Sequence, residues 1–215
     1  MIGSHYATIF LALLVGVSHT ASGEPSARGE IAFPPAARQE VLKRFPSLKG
    51  ELGFAQGDID RDGVQDIAAI VLYVEKETDM ESIVVLKGKA GGDYSLIAES
   101  APFEPHMRRS ESIRVKRNSL YVAAGGGTYT EYAGTTYQFK SYSGRMLLVG
   151  LEFERGEIGG DASEHISANF LTNKMIERRI KDQKKTITYR SLRGRHATPI
   201  EKFALDAAVD ATALE

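Results

Sequence analysis

The sequence predicts a mainly β protein, α+β with one N-terminal helix, built as an antiparallel β meander that forms a sandwich or an open barrel. Three observations predict it. Short runs rich in β-branched and aromatic residues recur along the chain, with tight-turn residues between them. One run, Ile67–Val74, is apolar without polar alternation, as in a strand covered on both faces. A single amphipathic helical pattern, Ala36–Phe45, precedes the strands.

Taken in order, Met1–Gly23 reads as a secretory signal. Ala7–Val17 is uncharged, apolar and too short to span a bilayer, and Ala21-Ser22-Gly23 offers small residues for cleavage before Glu24. The segment has no Lys or Arg at its start, so a buried N-terminal helix is the alternative. A polar leader covers residues 24–33. Pro34 and Pro35 then suit a first helical turn, Ala37, Val41 and Phe45 with Leu42 give one apolar face, and Pro46 stops the helix.

Leu48–Phe54 is a first strand and Ile67–Val74 a central one. The β-branched residues of the second, and its start directly after a turn, favour a strand over a helix of the same period. The charged stretch Glu75–Glu81 is expected as a solvated hairpin connection. Ser82–Leu86 and Tyr94–Glu99 flank a turn at Gly88–Asp93. Three hairpins follow, turning at Arg117-Asn118-Ser119, Ser143-Gly144 and Thr172-Asn173, and Thr186–Ser191 closes the series. A single domain is expected over residues 34–203, with an Ala/Asp-rich tail at 204–215.

Composition limits the function classes. The chain has 215 residues and a formal net charge of -1, which argues against a general polyanion binder, and the expected export argues against nucleic acid as a partner. Cysteine is absent, which excludes disulfides, a cysteine nucleophile and a lipid-anchored cysteine at the cleavage site. No run after the signal is long and apolar enough for a transmembrane helix.

The stretch Gly57-Asp58-Ile59-Asp60-Arg61-Asp62-Gly63-Val64-Gln65-Asp66 carries the clearest chemistry. Its carboxylates fall at positions 1, 3, 5 and 9, with glycine at position 6. Ca²⁺ takes six to eight oxygen ligands, and a short loop supplies them when alternate side chains turn inward. The expected metal set is Asp58, Asp60, Asp62, the carbonyl of Val64, and Asp66 with both oxygens. Position 12, Glu in an EF-hand, is Ala69, so an EF-hand is excluded. The plainer alternative is a solvated Asp-Gly turn without metal.

Asp58-x-Asp60-x-Asp62-Gly63-x-x-Asp66-Ile67 resembles the calcium loop of FG-GAP and VCBS repeats, although it occurs once here. With Phe45-Pro46 before it and Ile166-Ser167-Ala168-Asn169-Phe170-Leu171-Thr172-Asn173-Lys174 near the end, the chain resembles a group of uncharacterised bacterial secreted proteins. That resemblance implies calcium binding and export, in the periplasm or outside the cell.

The remaining candidates are weaker. His106, His165 and His196 show no zinc spacing, and there is no nucleophile elbow or phosphate loop, so no catalytic residues are assigned. Glu152, Glu154, Glu157, Asp161 and Glu164 could pair as glycosidase carboxylates, or simply form an acidic glycine-rich loop. Tyr129 and Tyr132, with Tyr121 and Tyr137 nearby, are candidates for an aromatic binding surface or for strand packing. A basic stretch runs from Lys174 to Arg195, suited to anionic headgroups, wall polymers or an acidic partner, or to a solvated hairpin face. The expected function is a calcium-binding module that binds a protein or cell-wall polymer, inhibitor- or immunity-like. The alternatives are a hydrolase of such a polymer and a structural envelope protein.

Overall fold

The computed structural model describes residues 32–105, 110–192 and 197–205. The expected signal, most of the leader, the tail from residue 206, and His106, Arg193, Arg195 and His196 lie outside the described residues.

Among the described residues, one helix, α1 (Pro35–Arg44), is followed by twelve strands: β1 (Leu48–Gly57), β2 (Asp66–Glu75), β3 (Thr78–Gly88), β4 (Tyr94–Glu99), β5 (Ser110–Val115), β6 (Leu120–Gly127), β7 (Glu131–Tyr142), β8 (Arg145–Glu157), β9 (Ser163–Asn169), β10 (Lys174–Lys181), β11 (Lys184–Ser191) and β12 (Thr198–Pro199). A 3-10 turn, Ile200–Lys202, follows β12. Strands β1 to β4 form one antiparallel meander, and β5 to β11 form a second in strict sequence order, with β12 paired to β8. The two antiparallel sheets stay separate and neither closes into a barrel, consistent with the expected β-rich sandwich.

Strand β2 shows why its sequence lacks polar residues. Ile67, Ala69, Val71 and Tyr73 pack with Ala37, Val41 and Phe45 of the helix. The alternate residues Ala68 and Ile70 pack instead with Leu120, Val122, Phe139 and Leu151 of the large sheet. Successive side chains of a strand point to opposite faces, so a strand between two apolar layers must be apolar at every position. The order of layers is helix, four-stranded sheet, eight-stranded sheet. Arg44 makes a bidentate contact with Glu99 of β4 at 2.6 Å for each bond, and Arg38 donates to Glu51 of β1 at 3.0 Å. The helix is thereby tied to both edge strands of the small sheet.

Several expectations need correction. Leu42, expected on the apolar helix face, is 40% exposed. The charged connection at Glu75–Glu81 shrinks to the two-residue turn Lys76-Glu77, because Thr78 to Glu81 pair with β2 and Glu81 is buried. Phe33, expected in a polar leader, packs edge-on against Phe54 at 5.2 Å. Leu205, expected in the tail, is buried in the inter-sheet core. No helix among the described residues is long and apolar enough to cross a membrane.

Candidate metal centre

The acidic loop is the connection from β1 to β2, closed at its base by the pair Gly57↔Asp66. Its backbone turns through two left-handed residues, Arg61 at φ 71° and Gly63 at φ 83°. Glycine adopts that conformation without a Cβ penalty, whereas Arg61 is held in it by the surrounding bonds. Asp58 Oδ1 accepts the amide of Arg61 at 2.6 Å and Oδ2 that of Gly63 at 3.2 Å. Asp60 accepts from the amide of Asp62 at 3.2 Å, and Asp62 from that of Val64 at 2.8 Å. Each aspartate thus turns its side chain back over the following backbone, which brings the carboxylates inward.

Asp58, Asp60 and Asp66 each present an oxygen within 4.8 Å of the others. An all-oxygen, anionic donor set at that spacing can hold a hard cation. Asp66 is fully buried; its two oxygens accept the amides of Ile59 at 2.8 Å and Gly88 at 3.0 Å. A carboxylate offers about four lone-pair directions, so these bonds leave it acceptor capacity. Burial pushes the Asp66 carboxyl above the ordinary aspartate range, against the pull of its amide donors.

Asp62 is placed differently from the other three. Its Oδ2 lies 2.6 Å from the Lys87 ammonium, which also contacts Asp60. The lysine and the Val64 amide hold the Asp62 carboxyl below its usual value, and the two aspartates raise that of Lys87. By linkage, the depressed Asp62 contributes stability above the unfolded aspartate value that is lost as pH falls through its folded one. Asp66, raised, has the opposite sign: its contribution is present in acid and is lost as pH rises through its folded value.

Sequence reasoning missed four residues that build this centre. Lys87 and Gly88 lie at the end of β3, about twenty residues from the loop, and carry no motif. A Cβ on Gly88 would stand 2.1 Å from the carbonyl oxygen of Gln65, so only glycine lets β3 approach the loop. Ile59 sits between the aspartates as an apolar anchor, 1% exposed in the inter-sheet core. Asn118, in the β5–β6 turn, donates to the carbonyl of Asp58 at 2.7 Å and ties the loop to the second sheet. The alternation of Ile59 with the aspartates was the one signal available in the sequence.

The other candidates scatter. Tyr129 is fully exposed at the β6–β7 tip and Tyr132 is 40% exposed on β7. Tyr137 faces the core against Phe203 at 4.7 Å, and Tyr121 bonds Gln138 at 3.0 Å, so the four tyrosines do not form one patch. Glu152 accepts from Ser167 at 2.6 Å and lies 3.0 Å from His165. Strand alternation puts Glu152 and Glu154 on the opposite face of β8 from Glu157, and Glu164 lies beside Arg155 on the Glu157 face, so the acidic series is divided. The basic stretch forms β10 and β11, where Glu177 and Glu164 pair with Arg179 and Glu177 also pairs with Arg190. No family model, curated protein or solved structure matches the chain.

Proposed function

We propose that the protein is an exported calcium-binding β domain of the kind its loop resembles, acting as a binding module for a protein or wall polymer. The observation that carries the metal reading is the convergence of Asp58, Asp60 and Asp66 oxygens within 4.8 Å. Asp58, Asp60 and Asp66 would hold the ion, with Asp62 and the Val64 carbonyl completing the shell. The role is structural: the ion neutralises the carboxylates and fixes the β1–β2 connection, which Asn118 links to the other sheet. Binding is favoured over hydrolysis because the acidic series is split between the two faces of the sheet, and Glu164, its most buried carboxylate, is engaged by Arg155 and Arg179 instead of facing a second carboxylate across a cleft.

Melting of metal-stripped protein in chelator and in millimolar Ca²⁺ tests the metal reading. A ligand at ~100 times its dissociation constant stabilises by about 2.7 kcal/mol, which is a rise of several degrees for a domain of this size. Asp60→Ala should remove the response, and Mg²⁺ should replace Ca²⁺ poorly because it demands a stricter octahedron. Coincident curves would leave the second reading, in which Lys87 is the loop's permanent counterion. Export is checked by N-terminal sequencing from the native host, which should find a start near Glu24; an intact Met1 on cytoplasmic protein would refute it.

A further inference from the structure

On the core-facing side of the eight-stranded sheet, the apolar residues give way to charged ones over a single step. Phe153 and Ile166 are cross-strand partners in the core. The next row on that side runs Gly126, Ala133, Arg155, Glu164 and Arg179 across β6 to β10. One row further out, Glu131 and Glu157 are direct partners. Gly126 and Ala133 keep the floor low beside these long side chains, and a cleft of about 670 Å3 opens over them. Small-molecule sites typically measure ~300–1,000 Å3.

The charges in the cleft are ordered. Glu164 is 7% exposed and holds the Nε of Arg155 at 2.6 Å and the Nε of Arg179 at 2.8 Å. Arg155 has no other ion-pair partner among the described residues and lines the cleft. Lys181 lines the same side. On β7 and β8, one row out from Arg155, Glu131 and Glu157 oppose one another, and neither makes an ion pair among the described residues. Like charges directly opposite across a sheet are destabilising, and nothing in the packing requires carboxylates there.

A simple anion would suit the arginine end but meet repulsion from the two glutamates. A simple cation would meet the converse. We propose that the cleft binds a small zwitterion, an amino acid or short peptide, with its carboxylate on Arg155 and Lys181 and its ammonium between Glu131 and Glu157. Arg155 stands one row, about 7 Å, in from Glu131 and Glu157, and Lys181 stands in their row two strands, about 10 Å, away, so both separations are within the span of a dipeptide reached by these side chains. The buried Glu164 fixes the arginines before the ligand arrives, which lowers the ordering cost of binding. The inference goes beyond the calcium reading and uses none of its residues.

Calorimetric titration of the full chain with alanylalanine, its N-acetyl form and its C-terminal amide tests it. The free dipeptide should bind saturably, and each capped form at least about tenfold more weakly. Arg155→Gln should weaken the free dipeptide by a similar factor. Lys181→Gln should do the same without disturbing the Glu164 contacts, which guards against a folding defect in the first variant. Glu157→Gln should reduce the discrimination against the acetylated form. Asp60→Ala should leave all of these titrations unchanged, so failure of the calcium loop is read separately. Absence of heat for all three compounds up to their solubility limit, or equal affinity for them, would overturn the proposal.

Discussion

Lys87 decides how the acidic loop behaves when it holds no ion. Its ammonium sits against Asp60 and Asp62, where it offsets part of the repulsion among the loop's carboxylates. A metal ion at Asp58, Asp60 and Asp66 must compete with it. Lys87→Met removes the competitor, so the variant should melt lower than wild type in chelator yet bind Ca²⁺ more tightly. The gap between its melting temperatures with and without calcium should widen. An equal fall in both conditions would show that the lysine, not a metal, neutralises the loop. The pH dependence follows from Asp66. Metal ligands must be deprotonated, and burial raises the Asp66 carboxyl. Calcium affinity, read by titration at decreasing pH, should therefore begin to fall above the ordinary aspartate range.

At the scale of elements, the hairpins explain a feature of the sequence that composition hides. Lys76-Glu77, Arg117-Asn118, Ser143-Gly144 and Asp182-Gln183 each place two successive residues at positive φ. This is the type I′ geometry, whose twist matches that of the flanking strands. Only one of these pairs contains glycine, so three turns hold ordinary side chains in the left-handed region. Each such residue costs roughly 1 kcal/mol relative to glycine. Register across the hairpins is set by strand pairing, not by turn preference, and the long regular ladders of β2–β3 and β10–β11 supply it. Replacing Lys76-Glu77 with Asn-Gly should therefore raise stability by about 1 kcal/mol in denaturant titration, without altering the calcium response. A loss of stability would mean that the two side chains contribute contacts outweighing the backbone strain.

At the scale of the molecule, two apolar layers share the four-stranded sheet. The helix covers one face and the eight-stranded sheet the other. Phe139 lies at the centre of the inter-sheet layer, fully buried and edge-on to Phe203 at 5.1 Å and 79°. Phe203 follows β12, so this contact ties the end of the chain to its largest sheet. Phe139→Ala should cost about 3–5 kcal/mol in unfolding free energy. Because Asn118 and Ile59 carry the loop between the sheets, the same variant should weaken calcium binding although it lies in neither loop nor ligand set. Wild-type calcium affinity in a folded Phe139→Ala protein would show that the loop is fixed by β1 and β2 alone.

The sequence by itself determined the β-rich class, the single helix, the central doubly covered strand and the aspartate spacing of the loop. Each of these is a local pattern, written in the period of apolar residues or in a run of ten positions. It also placed the tight turns at Arg117-Asn118 and Ser143-Gly144, whereas the turn expected at Thr172-Asn173 begins two residues earlier, at Phe170, because β9 ends at Asn169. Tertiary structure alone decided that the strands divide into two sheets, since either a sandwich or a barrel satisfies the same alternation. It brought Lys87, Gly88 and Asn118 to the acidic loop through strand register, which no local spacing records. It also separated Tyr121 from Tyr137, and Glu152 from Glu164, because strand register puts each pair on opposite faces of the sheet. The cleft followed the same rule: Arg155, Glu164 and Arg179 meet because three antiparallel strands bring positions far apart in the chain into one row.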